Sequence, residues 1–334
     1  MTSVAEQTIV APSPEAGPRP VLRRLRWLSL GGGALVGIVM RLIYSGHGRD
    51  PYSAMMSSFV LLVPLLVGAV AVFIAERYET RSSRYHFWIG ANANALFVLG
   101  TFLVMIEGLV CTIIAIPLFW VLGGLAGVAM GFVCRWTNWG KRTVYCLTAL
   151  PLLLGGLEQH LPLPQNVSST ERNLVVAAPP EAIWKQLLAA PDIRPEEMGG
   201  AWMYRIGVPL PTAAVTTMTD GTAIRHITMG KGIHFDQVAA AWEPNRRVRW
   251  LYHFAPDSFP PQALDDHVRI GGSYFDLVDT EYSLQQVAGG TELRVRMTYR
   301  VSTGFNWYAR PLAALFVGNF EEAALAFYAR RAST

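Results

Sequence analysis

Residues 58–75 have the sequence SFVLLVPLLVGAVAVFIA, in which no residue carries a charge. The uncharged stretch begins at residue 53 and ends before Glu76 and Arg77. A helix that spans a bilayer needs about 20 predominantly apolar residues. The sequence therefore predicts a transmembrane helix at residues 53–75, and the chain is expected to be an integral membrane protein.

Other apolar segments occur in the same half of the chain. The predicted spans are residues 27–44, 53–75, 89–105, 118–133 and 144–157. The stretch Phe87–Val133 is too long for one crossing, so Glu107 and Pro117 are taken to divide it, with an elbow or a short re-entrant piece at residues 107–117. These segments predict a transmembrane domain of about five helices at residues 27–160, after a disordered tail at residues 1–26.

Basic residues alternate between the two ends of the predicted spans. Ten lie before span one or after spans two and four, whereas the loops at the opposite ends hold only Arg49. Lys and Arg are retained in cytoplasmic loops, so we expect an inner-membrane protein with a cytoplasmic N-terminus and a C-terminal domain on the extracytoplasmic side. The weak point is the fifth span, which Pro151 and Gly155-Gly156 interrupt. If it does not cross, the C-terminal domain is cytoplasmic.

Two charged residues, Arg41 and Glu107, fall in or near the apolar layer. Both lie towards the outer ends of their spans, so they could form a contact with each other. Charges inside a membrane are costly and usually face a partner, but long side chains near a helix end can also extend to the interface. We favour the second interpretation.

Charge and cysteine content differ between the two halves. Residues 1–164 hold 12 Lys or Arg and 7 Asp or Glu, whereas residues 165–334 hold 16 and 17. The second half has no basic stripe, which excludes nucleic acid as a partner. It also has no cysteine, which excludes a disulfide framework, a thiol nucleophile and a thiolate metal site within that half.

The second half has the pattern of an α+β domain. An extended run at Asn173–Ala178 leads into a helix that opens at Pro179-Pro180. In residues 293–301, Leu293, Val295, Met297, Tyr299 and Val301 alternate with Arg294, Arg296, Thr298 and Arg300. This period of two predicts an antiparallel sheet with one wet face. A long helix is predicted at about Trp307–Arg330.

This order of elements resembles the helix-grip fold of the START-like, or SRPBCC, superfamily. The segments that are similar to its polyketide cyclase/dehydrase and lipid-transport branch are NLVVAAPPEAIWKQL (173–187), MYRIGVPLPTAAVTTMTDGTAIRHI (203–227), AAAWEPNRRVRW (239–250) and DDHVRIGGSYFDL (265–277). The resemblance covers residues 166–332 and implies a curved antiparallel sheet around a long C-terminal helix, with an apolar cavity. It implies no particular reaction. We also expect this domain to be fused to the C-terminal end of a bacterial multi-span membrane region.

Candidate site residues follow from that fold. The expected ligand-binding set is Arg225, Trp250, Tyr252, His267, Tyr274, Tyr282 and Tyr299. Arg225 lies in an otherwise apolar strand, so it either points into the cavity to meet a polar ligand group or lies on the solvated outer face. His267 is a weak candidate for a general base, and a loop histidine bonded to backbone is the simpler interpretation. For the aromatic residues, core packing is the alternative.

No metal or cofactor is expected. His226, His234 and Asp236 lie on neighbouring strand segments, but their spacing is not typical of a zinc site. The sequence also lacks a Gly-x-Ser-x-Gly elbow, a P-loop and a His-Glu-x-x-His motif.

The leading hypothesis is a membrane-anchored module that binds a hydrophobic small molecule or a lipid, with the bilayer as a further partner. The alternatives are a cyclase or dehydrase that acts on an apolar substrate in the same cavity, with His267 or Arg225 as catalytic residues, and a protein-interaction or assembly factor with a protein partner.

The predicted orientation can be tested with a reporter fused after residue 334 that is active in only one compartment. Because the basic loops alternate over five crossings, alkaline phosphatase at this position is expected to be active in the periplasm and a fluorescent protein there to be dark. Cytoplasmic activity of the C-terminal reporter would contradict the five-span interpretation.

Overall fold

The computed structural model describes residues 20–46, 52–261, 263–265 and 267–333. Its first half is a bundle of helices. These are α1 (Pro20–Ile43), α2 (Val63–Glu76), α3 (Ser83–Leu103), α4 (Leu109–Trp136) and α5 (Gly140–Glu158), and a π-helical turn at Ser58–Leu62 leads directly into α2. Of the predicted tail, residues 1–19 lie outside the described residues, and Pro20 already begins α1.

The predicted elbow at residues 107–117 is wrong. Helix α4 begins at Leu109 and continues through Pro117 to Trp136. A proline removes a single backbone hydrogen bond from a helix, and membrane helices tolerate this loss. The change of direction falls earlier, in residues 104–108, where Met105 has a φ of +58°. Likewise, α3 begins before the predicted span because Ser82 caps it, accepting a hydrogen bond from the Tyr85 backbone N–H at 3.3 Å.

The favoured interpretation of Arg41 and Glu107 is also wrong. The Arg41 Nε atom lies 2.5 Å from Glu107 Oε1, and the two side chains are only 10% and 14% exposed. Arg41 Nη1 also donates to the Tyr44 carbonyl at 2.6 Å. The residues that connect α3 to α4 bring the carboxylate to the end of α1, so the two charges pair with each other and are largely buried.

Four helices are long and apolar enough to cross a membrane. They are Arg26–Ile43, Ser58–Glu76, Leu109–Trp136 and Asn306–Ala332. The first three belong to the predicted spans. The fourth is the terminal helix of the second half, whose buried side chains pack against a sheet. Helices α3 and α5 are less apolar, although α5 has 19 residues and at 1.5 Å per residue is long enough to cross the hydrocarbon layer.

A row of glycines on α4 allows the membrane helices to approach closely. Gly123, Gly127 and Gly131 recur every four residues, which places them on one face of the helix. A Cβ atom added at Gly90 of α3 or at Gly68 of α2 would collide with the Gly123 carbonyl. Small residues in this spacing are typical of tightly packed membrane helices.

The second half is a single antiparallel sheet with helices at one side. Its strands are β1 (Asn166–Val176), β2 (Ala189–Ala190), β3 (Pro211–Thr219), β4 (Thr222–Met229), β5 (His234–Glu243), β6 (Arg247–His253), β7 (Phe275–Val287) and β8 (Gly290–Val301). Its helices are α6 (Pro180–Leu188), α7 (Pro195–Met198), α8 (Trp202–Arg205) and α9 (Asn306–Ala332). The strand order is β1-β8-β7-β6-β5-β4-β3-β2.

This arrangement is the helix-grip fold, in which the sheet and the short helices enclose α9. The inward residues of β8, from Leu293 to Val301, are at most 3% exposed, as the alternation predicts. Gly289 and Gly290 form the tight turn before β8, with φ values of +94° and +147°. The core lies between the inner face of the sheet and α9.

Polar contacts fix α9 at both ends of the sheet. The Glu321 carboxylate accepts the Met297 backbone N–H of β8 at 3.0 Å, and burial raises the pKa of Glu321 to about 7. Near the C-terminus, Arg331 forms a forked pair with Glu197 at 2.7 and 2.8 Å. This hydrogen-bonded pairing lowers the pKa of Glu197 to about 2, so α7 and α9 remain linked throughout the physiological pH range.

The close packing at the glycine row predicts that an alanine substitution destabilises the protein at Gly90 but not at Gly31. Gly90→Ala places a methyl group against the Gly123 backbone, so α3 and α4 must separate; the expected result is a loss of roughly 1–3 kcal/mol of stability. The matched control is Gly31→Ala, because a Cβ there has no atom within 4 Å and the helix propensity gained is the same at both positions.

The measurement is the unfolding midpoint in one detergent for the two variants and the parent protein. A lower midpoint for Gly90→Ala alone is expected. Equal midpoints for both variants would show that the helices are not in close contact at Gly90.

Candidate functional site

A cavity of about 300 Å³ lies between the inner face of the sheet and α9. Its walls are largely apolar, and the inward residues of strands β3 to β8 and one face of α9 provide most of them. The end that faces the first half of the chain is closed by Met55, Val110 and Ile114. The volume is at the lower end of the range for small-molecule sites, and an apolar wall with few polar groups is typical of such sites.

Hydrogen bonds hold the two halves together beside this end of the cavity. Ser53 Oγ lies 2.8 Å from the Tyr274 hydroxyl, and the Tyr308 hydroxyl donates to the Ile114 carbonyl at 2.7 Å. Within the membrane half, at the end of α5, Glu158 accepts the backbone N–H groups of Ser57 and Ser58 at 2.6 and 2.9 Å. The carboxylate thus satisfies donors that the start of a helix leaves free. The helix-grip half is therefore seated on the membrane half, with its cavity facing the helices.

Arg225 is the main polar group of the cavity wall. It projects inward from β4 and is 4% exposed. Its guanidinium donates to the Tyr328 hydroxyl at 2.5 Å and, at 3.4 Å, to Gln237 Oε1. Its Nε atom has no hydrogen-bond partner among the described residues. The guanidinium also lies 5.9 Å from the centre of the Trp250 ring, a cation–π distance.

No carboxylate balances this charge among the described residues that line the cavity. Burial acts to lower the pKa of Arg225, but the hydroxyl oxygens of Tyr328 and Tyr282 act in the opposite direction, and the resulting pKa lies above the ordinary value. The guanidinium is therefore charged at any physiological pH. A buried charge without a counterion costs several kcal/mol.

Tyrosines surround the guanidinium. Burial raises the pKa of Tyr252 to about 12, and it also raises the pKa values of Tyr204 and Tyr282. The Tyr252 hydroxyl lies 2.6 Å from Thr280 Oγ1. These phenols are neutral near pH 7, so they can donate hydrogen bonds to a ligand but cannot take a proton from it.

The structure brings five of the seven predicted ligand-binding residues to the cavity wall. These are Arg225, Tyr252, His267, Tyr274 and Tyr282. The other two do not line it: Trp250 is fully buried behind Arg225, and Tyr299 is 2% exposed and packs against Phe275. Strand alternation places both on the inner face, but it does not separate the residues that line a cavity from those that fill the space around it.

Gln237, Tyr328 and Tyr204 also line the cavity but are absent from the predicted set. Gln237 had a detectable signal, because it follows Phe235 at the next inward position of β5 and is polar where an apolar residue is expected. Tyr328 lies on the same face of α9 as the buried residues Val317, Glu321 and Ala324. Large apolar residues such as Leu315 also lie on the exposed face, so the sequence of the helix does not single out Tyr328.

The histidines on β4 and β5 lie apart from the cavity. His226 and Asp236 are register partners, and their side chains, 49% and 44% exposed, form a pair at 2.7 Å on the outer face. His234 lies 3.6 Å from Asp257 instead.

His267 lies at the membrane end of the cavity, and its contacts cross to the other half of the chain. Its Nδ1 atom is 3.7 Å from Cys111 Sγ and 3.8 Å from Glu107 Oε2. The same histidine also lines a second cavity, of about 130 Å³, among the membrane helices. The contact between His267 and Glu107 could not be predicted from the sequence, because 160 residues separate them.

No protein-family model and no curated protein matches the chain. Solved structures are similar to its second half. The di-domain aromatase/cyclase BexL from the BE-7585A biosynthetic pathway is 12% identical with a TM-score of 0.32, and the match covers 59% of this chain and 60% of that one. The Zhui aromatase/cyclase from Streptomyces sp. R1128 is 13% identical with a TM-score of 0.31, over 50% and 94% of the two chains.

Ara h 8.0201 is 13% identical with a TM-score of 0.28, over 51% of this chain and 100% of that one. The matched part of this chain spans about 60% of the BexL chain. The helix-grip fold itself is defined by the strand order and the terminal helix of the chain described above.

Because the Arg225 guanidinium is buried without a counterion among the described lining residues, we expect that removing it does not destabilise the ligand-free protein. Arg225→Met keeps the apolar stem and removes the buried charge, so the ligand-free protein is expected to be as stable as the parent or more stable, by up to about 1–3 kcal/mol. The control is Arg249→Met, which leaves the buried Asp279 carboxylate without its partner at 2.8 Å and is expected to cost about 1–2 kcal/mol.

Thermal unfolding of delipidated protein measures both effects. A fall in midpoint for Arg225→Met equal to that for Arg249→Met would mean that Arg225 serves the fold and has no role reserved for a ligand.

Proposed function

We propose that the protein is a membrane-anchored binding module whose helix-grip cavity holds an apolar small molecule or lipid that carries an anionic group. The observation that supports this most directly is the charged guanidinium of Arg225, buried in an apolar cavity without a carboxylate among the described lining residues. A ligand carboxylate, enolate or phosphate would accept hydrogen bonds from the guanidinium, and charge-assisted bonds of this kind are the strong ones.

The rest of the cavity suits an aliphatic or fused-ring body. Apart from Arg225 and its hydroxyl and amide neighbours, the wall consists mainly of aliphatic, aromatic and methionine side chains. Burying such a body contributes roughly 25 cal/mol per Å² of apolar surface. Met198, Met203, Met229 and Met297 lie in this wall, and flexible methionine side chains adapt to ligands of irregular shape.

The second cavity supports the bilayer as the source of the ligand. It lies among α1, α3, α4 and the residues before α2, and its lining includes Phe59, Phe97 and Phe119. Six residues line both cavities and form a shared wall. They are Met55, Ile114, His267, Val268, Phe305 and Tyr308. In the proposed route, a molecule from the membrane enters between the helices and passes this wall by movement of its side chains.

We also propose that the helix-grip domain lies on the extracytoplasmic side. At one end of the bundle, Glu76 pairs with His86 at 2.6 Å and with Arg135 at 3.5 Å, so the ends that carry the basic loops are adjacent. The helix-grip half contacts the opposite end, through the hydrogen bonds of Tyr274 with Ser53 and of Tyr308 with Ile114. With the basic end in the cytoplasm, the cavity would be on the other side.

A second candidate is an enzyme of the cyclase or dehydrase kind. It is supported by the position of Arg225 beside neutral tyrosines, an arrangement that can stabilise an enolate or polarise a carbonyl. Such a reaction also needs a proton acceptor. Among the described lining residues the candidate is His267, at the membrane end of the cavity. Loss of turnover in His267→Ala with ligand affinity unchanged would favour this enzyme over a carrier.

The proposal predicts a preference for an anionic ligand that depends on Arg225. Protein in nanodiscs is tested at pH 8 with dodecanoate and dodecanol, which share the same apolar chain. The parent protein is expected to bind dodecanoate about 10–100-fold more tightly, since a hydrogen bond to a charged group contributes about 1.5–3 kcal/mol. In Arg225→Met the two Kd values are expected to become nearly equal.

Arg249→Met is the control, because it removes a guanidinium on the outer side of the sheet and should keep the preference. An unchanged dodecanoate preference in Arg225→Met would refute the assignment of Arg225. Failure of the parent protein to bind either compound, with empty cavities after purification, would refute the binding function itself.

A further inference from the structure

Three metal-binding side chains meet where the membrane helices contact the helix-grip half. Glu107 precedes α4, Cys111 lies in its first turn, and His267 comes from the loop between β6 and β7. One possible ligand atom from each residue lies within 4.8 Å of the other two. A thiol, an imidazole and a carboxylate from two parts of the chain thus surround one point.

We propose that Glu107, Cys111 and His267 form a binding site for a divalent transition-metal ion of the zinc type. The proposal does not depend on the cavity function, because it concerns side chains on the wall between the two cavities and a ligand of different chemistry. The metal would link the start of α4 to the loop of the helix-grip half.

Two of the three separations between these side chains are close to those between ligands of one ion. His267 Nδ1 lies 3.7 Å from Cys111 Sγ and 3.8 Å from Glu107 Oε2. An N–H···O hydrogen bond is about 2.7–3.2 Å long, so the second distance is too long for one. Tetrahedral zinc, with bonds of about 2.0–2.3 Å, separates neighbouring ligand atoms by roughly 3.3–3.6 Å. The third separation, between Cys111 and Glu107, is at most 4.8 Å, so side-chain shifts of up to about 1 Å would complete the site.

A further carboxylate, that of Asp265, lies beside Cys111 but outside the group of ligand atoms that lie within 4.8 Å of one another. The Asp265 carboxylate is a hydrogen-bond partner of the Cys111 thiol. It also lies directly against Gly108, where an added Cβ atom would collide with both carboxylate oxygens. The position of the Asp265 carboxylate therefore requires a residue without a side chain at Gly108. Either this carboxylate or a water molecule from the membrane cavity, which Glu107, Cys111 and His267 all line, would fill the remaining position.

The donor set indicates the class of metal. Thiolate and imidazole ligands favour zinc and similar ions over Mg²⁺ or Ca²⁺, which prefer oxygen. Arg41 orients the Glu107 carboxylate. Its Nε atom pairs with Oε1 at 2.5 Å, and the other oxygen, Oε2, faces His267. If Asp265 is the fourth ligand, Glu107, Cys111 and Asp265 contribute three negative charges. A divalent ion and Arg41 would balance them to a formal charge of zero.

The test uses the full-length protein in detergent, stripped with a chelator and titrated with Co²⁺, followed by elemental analysis after Zn²⁺ loading. The expected result is one ion per chain, with the absorption band of thiolate-bound Co²⁺. Cys111→Ser should lose this band, and Cys111→Ser and His267→Ala should each bind at least 100-fold more weakly. Cys146→Ser is the matched control, because Cys146 is exposed on α5 and should leave binding unchanged.

Two results would overturn the proposal. One is no binding by the parent protein at micromolar Zn²⁺ or Co²⁺, which would leave the cluster as a polar contact between the two halves. The other is equal binding by Cys111→Ser. A variant that fails to fold is recognised by gel filtration, and Glu107→Gln then provides the test, since it keeps the shape of the side chain and removes the ligand charge.

Discussion

The buried charge of Arg225 is the constraint on which the helix-grip half depends. An antiparallel sheet that encloses a long helix would be most stable with an apolar interior, yet β4 directs a guanidinium into it. The Arg225 guanidinium donates hydrogen bonds to neutral oxygens of Tyr328 and Gln237. It also makes a cation–π contact with the ring of Trp250. Such partners solvate a cation but do not neutralise it. The guanidinium therefore remains without a counterion among the described residues that line the cavity.

The second constraint is the seating of the helix-grip half on the membrane helices. Met55, Val110 and Ile114 line one end of the cavity, so residues of both halves form its wall. The glycine row of α4 brings the membrane helices close together, and the start of the same helix carries Cys111 next to His267. If His267 binds a metal ion there, it is not free to act as a base, which favours a carrier over an enzyme.

Much of the fold could be predicted from the sequence, because hydrophobic length and period-two alternation report directly on burial. The apolar run at residues 58–75 and the alternation at residues 293–301 are clear examples. Helix boundaries were less accurate: the elbow before Pro117 was wrong, since a proline inside a membrane helix does not end it. The site was only partly predictable. Arg225 is unusual in its strand, but Tyr328 comes from a helix without a clear apolar face, and the contact of Glu107 with His267 exists only after folding.

The most direct test of the central claim is native mass spectrometry of the full-length protein released from mild detergent, with Arg225→Met prepared in parallel. The account predicts that the parent protein retains one anionic, apolar molecule per chain and that Arg225→Met loses it while remaining folded. A parent protein that carries no ligand, or one whose bound molecule is neutral and is retained equally by Arg225→Met, would contradict the account.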